Sequence, residues 1–140
     1  MPEFKLFLNL YLLRILFVCS RNQWRSPTAE AVFRKHPGWQ VKSAGTAAGA
    51  RRKVTLELLS WADIIFVMEK KHKQRLHEKF GTALNARKVV VLFIPDNYRY
   101  MDPELIEILK DSVKPYLPFS GNPIRAAAAV QNNAEEKYND

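Results

Sequence analysis

The chain has 140 residues, enough for one domain with a buried core and too few for several. Its 47% hydrophobic and 26% charged residues exclude a disordered chain, and its single cysteine excludes an internal disulfide, which points to a reducing, cytoplasmic setting. A formal charge of +8, from 22 basic and 14 acidic side chains, favours anionic partners without choosing among nucleic acid, an acidic membrane surface and phosphorylated substrates.

The stretch from Phe4 to Cys19 is mostly apolar, but Lys5, Asn9 and Arg14 interrupt it and it is too short to span a bilayer. Arg14 also breaks the apolar core that a secretory signal requires. Residues 1–13 therefore read as an N-terminal extension to a domain at 14–114, with no membrane partner. Apolar runs at 15–18, 64–67 and 89–94 are short, β-branched or aromatic, and bounded by polar segments, as strands buried on both faces of a parallel sheet are. A shorter strand around 40–43 makes four.

Helices fall between them. Pro27 suits a first helical turn, Ala29, Val32 and Phe33 give that helix an apolar face, and His36-Pro37-Gly38 ends it. Residues 54–60 form a short helix and 70–80 a longer, strongly basic one. Pro103 opens the last, through 111, with Leu105, Ile106, Ile108 and Leu109 on its buried side. The alternation implies right-handed crossovers and a doubly wound α/β fold, in which ligands sit outside the carboxyl ends of the strands, where Cys19 and Asp96 both fall. Three prolines, a four-alanine run and a polar end make residues 115–140 a tail, partly disordered.

Cys19 and Arg25 stand six positions apart at the end of the first apolar run, in Cys19-Ser20-Arg21-Asn22-Gln23-Trp24-Arg25-Ser26. Five residues between them allow the backbone to curl with its N–H groups inward, and the following helix adds partial positive charge, so the loop binds a phosphate-like dianion. Arg25 closes the ring with a planar fork suited to two phosphate oxygens. A thiol in such a field favours the thiolate, which is the nucleophile. The plain alternatives are a packed cysteine at a strand end, a surface arginine on a first helical turn, and Ser26 as a helix N-cap.

The segment resembles the phosphate loop of the low-molecular-weight protein tyrosine phosphatases, Cys-x5-Arg-Ser followed by Pro and a helix beginning near Ala-Glu, here Ser26-Pro27-Thr28-Ala29-Glu30. Further landmarks follow in order: Ser43-Ala44-Gly45-Thr46, then Ala62-Asp63 before Ile64-Ile65-Phe66-Val67-Met68, then Ile94-Pro95-Asp96-Asn97-Tyr98. The resemblance implies a three-layer fold with a four-stranded parallel sheet of order 2-1-3-4 and helices on both faces. It further implies a phosphatase with Cys19 as nucleophile, Arg25 as clamp, Asp96 as general acid and no metal or cofactor. Ser20, Arg21, Asn22, Gln23 and Trp24 would bind the phosphate, with Asn22 at the loop's tight turn. Ser26 would donate to the thiolate, and Tyr98 would wall the substrate's aromatic ring. The implied substrate is a phosphotyrosine protein or a small phosphate monoester.

The chain departs from this pattern in several places. Asn97 stands where the family has the proline of its Asp-Pro pair, so Asp102 of Asp102-Pro103 competes as the acid, although it suits a helix N-cap better. Between Thr46 and Val54 only seven residues remain, with Arg51-Arg52-Lys53 where relatives acting on phosphotyrosine carry a longer, aromatic-bearing insertion. Trp24 replaces a frequent second loop cysteine, which removes a protective disulfide, and the single cysteine argues against a thioredoxin-coupled arsenate reductase, which needs further cysteines to pass electrons along. His36, His72 and His77 show no metal-ligand spacing, and the last two read as solvated members of the basic helix. The run from Lys70 to Arg75 is read as a solvated face, with substrate steering or nucleic-acid contact as the less favoured readings.

Overall fold

The computed structural model describes residues 12–117. Strands β1 (Leu13–Cys19), β2 (Trp39–Gly45), β3 (Ile64–Val67) and β4 (Lys88–Val91) form one parallel sheet in the order β2-β1-β3-β4. Helices α1 (Arg25–Phe33), α2 (Leu56–Trp61), α3 (Lys70–Phe80) and α4 (Pro103–Val113) connect or follow them. The α/β class, the strand order and the helices on both faces are those expected from the sequence.

β1 explains the layering. Leu13, Ile15, Phe17 and Cys19 project into one core with Phe33, Leu105, Leu109 and Val113, whereas Leu16 and Val18 project into the other with Leu58, Leu59, Leu76 and Leu84. Both faces are covered, so the strand is a continuous apolar run rather than an alternating one. Phe17 sits between Phe33 and Phe66, with ring centroids 5.5 and 5.3 Å away.

Several boundaries differ from the sequence reading, each for a local reason. β2 is longer than 40–43 because all seven of its residues pair with β1. The second helix starts two residues late, at Leu56, because the Thr55 hydroxyl accepts from the Leu58 N–H and caps it. β4 stops at Val91: Leu92 and Ile94 still bond to Val67 and Met68, but Phe93 between them adopts φ 57° and turns out, 70% exposed. α4 continues to Val113 and buries Leu105, Leu109 and Val113, with Ile106 and Ile108 only partly covered. Leu13 and, beyond α4, Tyr116 and Leu117 belong to the core, so it reaches past residues 14 and 114. Residues 1–11 and 118–140 of the expected extension and tail lie outside the described residues. Among the described residues no helix is long and apolar enough to cross a membrane.

Candidate active site

The segment after β2 shapes the loop between β1 and α1. The carbonyls of Cys19, Ser20 and Arg21 accept from the N–H groups of Thr46, Ala47 and Arg51 at 3.0, 2.9 and 3.0 Å, and the carbonyl of Asn22 accepts from Arg51 Nε at 3.0 Å. In a planar trans peptide the N–H points opposite to its carbonyl. Four carbonyls tied outward therefore turn the N–H groups of Ser20, Arg21, Asn22 and Gln23 inward, which makes an anion nest at the start of α1. Asn22 takes the left-handed conformation, φ 56°, that closes the turn. The close approach also explains Gly45: a Cβ there would lie 2.5 Å from the Ser20 carbonyl oxygen and 2.7 Å from Ala50 Cβ.

Cys19, buried at the end of β1, has its Sγ 2.9 Å from Ser26 Oγ. Asn22 Nδ2 donates to Ser26 Oγ and to Ser43 Oγ, each at 2.9 Å, and Ser43 Oγ donates to Glu30 Oε1 at 3.2 Å. Since Nδ2 can only donate, Ser26 Oγ accepts from it, and its one hydrogen faces two acceptors, Cys19 Sγ at 2.9 Å and the Ala44 carbonyl at a longer 3.4 Å. Ser26 lies inside α1 rather than at its cap, which is Trp24 without a side-chain bond, so the N-cap alternative falls.

Arg25 is no surface arginine, being only 2% exposed. Its Nη1 donates to Glu69 Oε2 at 2.6 Å and to the Ile94 carbonyl at 2.8 Å, and its Nε lies 3.7 Å from Asp96 Oδ1. One nitrogen thus carries the structural contacts, and Nη2 and Nε have no hydrogen bond among the described residues. Burial works to raise the Glu69 carboxyl, but the hydrogen bond and charge of Arg25 outweigh it and hold the group below its ordinary value. Asp96 is 57% exposed at the cavity mouth. Its loop is tied to α1 where Met101 N donates to Thr28 Oγ1 at 2.9 Å.

His72 corrects the sequence reading. It is fully buried, whereas His77 is exposed. Its Nδ1 accepts from the Glu69 N–H at 3.0 Å, and its Nε2 lies 2.8 Å from Ser20 Oγ. Burial first, then the charge of Arg25, pushes its pKa down to about 4, which keeps the ring neutral. Glu69 and His72 are what sequence reasoning missed. The available signal was an acidic residue opening a helix directly at the carboxyl end of a buried strand, with a partner three positions on.

Cys19, Ser20, Arg21, Gln23, Trp24, Arg25 and Asp96 line one cavity of about 530 Å³, together with Ala47, Lys71 and Arg75. Asn22 and Ser26 brace the loop from behind. Tyr98 is not in this lining; it packs, half-buried, against the core on the α4 side, and the aromatic surface at the mouth is Trp24. The competitor Asp102 also lies outside the lining, where its Oδ1 accepts from the Glu104 N–H at 2.9 Å and caps α4. Arg51 braces the loop instead of lining the cavity. Among the described residues no group of three or more His, Cys, Asp or Glu side chains is placed to hold a metal ion.

Comparison with known proteins bears on this arrangement. Residues 14–55 match the model of the low molecular weight phosphotyrosine protein phosphatase family. The low molecular weight protein-tyrosine-phosphatase Wzb of Escherichia coli K12 is 35% identical over 117 residues, an alignment covering 61% of this chain and 78% of Wzb. The protein-arginine-phosphatase of Geobacillus stearothermophilus is 33% identical over 94 residues, covering 50% of this chain and 64% of that protein. Among solved structures, Vibrio vulnificus Wzb in complex with benzylphosphonate matches at a TM-score of 0.57 and 26% identity, over 89% of this chain and 99% of that one. The chain belongs to the low-molecular-weight protein tyrosine phosphatase family.

Proposed function

We propose that this protein hydrolyses phosphate monoesters through a cysteinyl-phosphate intermediate, using its own side chains as nucleophile, clamp and acid. The observation that carries this reading is the convergence of Cys19 Sγ, the buried Arg25 and Asp96 on one cavity whose loop turns its N–H groups inward.

In the first step the Cys19 thiolate attacks phosphorus in line. The P–S bond forms, the P–O bond to the alcohol breaks, and the Asp96 carboxyl gives its proton to the leaving oxygen. The loop N–H groups and the Nε and Nη2 donors of Arg25 hold the three remaining oxygens, whose charge grows in the transition state. In the second step Asp96, now a carboxylate, takes a proton from water as the water oxygen attacks phosphorus. The P–S bond breaks, inorganic phosphate leaves, and the Ser26 hydroxyl donates to the departing thiolate. Glu69 and the Ile94 carbonyl keep Arg25 in place throughout, so little reorganisation is needed as charge develops.

The similarity to Wzb and the indole of Trp24 at the cavity mouth support phosphotyrosyl substrates. The test is hydrolysis of para-nitrophenyl phosphate from about pH 4.5 to 8 with EDTA present, beside Cys19→Ser. Turnover in wild type and none in the variant upholds the reading. Absence of turnover from a protein that still binds vanadate would make the loop a phosphate-binding module instead.

A further inference from the structure

Around the loop the cavity is fringed by charge of one sign. Arg21, Lys71 and Arg75 line it beside Arg25, and Asp96 is the one carboxylate in the lining. Arg25 is matched by Glu69, and Lys71 reaches the same carboxylate only at 3.7 Å. Neither the Arg21 nor the Arg75 guanidinium has an ion pair among the described residues. Ala47 and Arg75 also line a second, smaller cleft, which adds Lys53 and Lys79 and no carboxylate. Thr46 borders that cleft, and its buried hydroxyl has no hydrogen-bond partner among the described residues.

One bound phosphate is matched by the loop N–H groups and Arg25. Arg21, Lys53, Lys71, Arg75 and Lys79 then remain as a strip of cations along two clefts that share Ala47 and Arg75, and like charges within a Debye length repel. More negative charge on the substrate relieves that repulsion. The second cleft holds only about 20 Å³, room for the tip of one side chain and not for a sugar or a base. A strip with room for tips fits carboxylates spaced along an extended chain at about 3.3 Å per residue.

We propose that this strip is a second anion subsite, which binds glutamate or aspartate side chains flanking the phosphotyrosine of an acidic protein segment. The assignment rests on the phosphatase reading of the loop. It also separates the two activities found among the relatives. The guanidinium of a phosphoarginine would meet the same cations and find only Asp96, which already faces Arg25.

Two phosphotyrosyl peptides of equal length test it, one flanked by glutamates and one by glutamines. Their kcat/KM is compared at about 50 and about 500 mM salt, and their affinity for the Cys19→Ser protein is read by fluorescence polarisation. The glutamate peptide is expected to lead by about threefold to thirtyfold at low salt, the sum of a few exposed ion pairs, and by much less at high salt. The lead should also collapse in Arg75→Gln/Lys79→Gln, with the fold checked by circular dichroism; the salt comparison needs no variant. Equal kcat/KM for the two peptides at low salt overturns the subsite, as does a lead that survives in the double variant. A phosphoarginine peptide hydrolysed faster than either overturns it too. If para-nitrophenyl phosphate and all peptides are left intact, the phosphatase reading fails. Polarisation then decides the subsite alone: a glutamate preference upholds it, and equal affinity overturns it.

Discussion

Nε2 of His72 lies 2.8 Å from Oγ of Ser20, on the wall of the candidate active-site cavity. Nδ1 of the same ring accepts from the Glu69 N–H, so in the neutral ring the proton sits on Nε2. Ser20 Oγ is therefore the acceptor of this bond, and its own hydrogen is left to point toward a bound anion. Protonating Nδ1 would break the Glu69 bond and add a cation beside Arg25, Lys71 and Arg75, with Glu69 as the counter-charge among the described residues. Since the folded value of about 4 lies below the ordinary 6.5, the unfolded chain binds more protons between them. Stability should be unaffected by this group above about pH 6.5 and fall as pH drops from there to about 4, by about 3 kcal/mol at most. Urea unfolding at about pH 7 and pH 4.5 measures the drop. His72→Asn should be less stable at neutral pH and should lose most of the difference between the two; an equal drop in both proteins would refute the assignment.

How legible this was in the sequence depends on the range of the interactions. The strands could be read because a strand buried on both faces is written as a local apolar run, as in 64–67. The loop could be read because strand, thiol, arginine and helix are contiguous. His72 could not, since a histidine in a basic helical run looks solvated until the chain folds it against Ser20, fifty-two positions away. Tyr98 is the converse case: its place in a motif did not say that the half-buried residue packs against the core outside the cavity lining. The 47–53 segment looked like a missing specificity element, and only the folded chain reveals its backbone holding the loop carbonyls.

Arg25 and Glu69 form the part-buried pair on which the proposed clamp depends. Removing one partner leaves the other with only a looser opposite charge, Asp96 at 3.7 Å from Arg25 or Lys71 at 3.7 Å from Glu69, and the partial exposure of Glu69 softens the effect further. Glu69→Gln should destabilise the fold by about 1–3 kcal/mol and lower kcat by about tenfold through a looser guanidinium. Arg25→Lys keeps the charge but loses the fork, and should lower kcat by at least about 100-fold. Steady-state kinetics beside denaturant titration separates the two. A Glu69→Gln protein with full kcat would mean that the Ile94 carbonyl alone positions Arg25.

Asp96 and Asp102 differ in what each loses on substitution. Asp96 faces the cavity and is expected to be the proton donor, so Asp96→Asn should lower turnover of a phosphotyrosyl peptide by about 10²–10⁴. The loss should shrink for a substrate whose leaving group needs no proton. Asp102 accepts from Glu104 N–H at the start of α4, and Asp102→Ala should cost about 1 kcal/mol of stability with turnover retained. Kinetic parity between Asp96→Asn and wild type, with Asp102→Asn impaired, would reverse the assignment.

Gly45 tests whether the outward tethering of the loop carbonyls matters to the chemistry. The site of its missing Cβ faces the Ser20 carbonyl at 2.5 Å and the Arg21 carbonyl carbon at 3.0 Å, both backbone atoms that cannot swing aside. Its own N–H and carbonyl are bonded to Arg52 and Val54, so β2 cannot retreat without breaking them. Gly45→Ala must therefore push the loop, displacing the N–H groups that would surround the phosphate. A stability loss of about 1–3 kcal/mol is expected, with a fall in vanadate affinity larger than the fall in stability explains, because a misplaced donor costs binding even in the folded fraction. Vanadate inhibition measured well below the unfolding transition gives the answer. Wild-type affinity there would mean that the loop keeps its shape without the segment after β2.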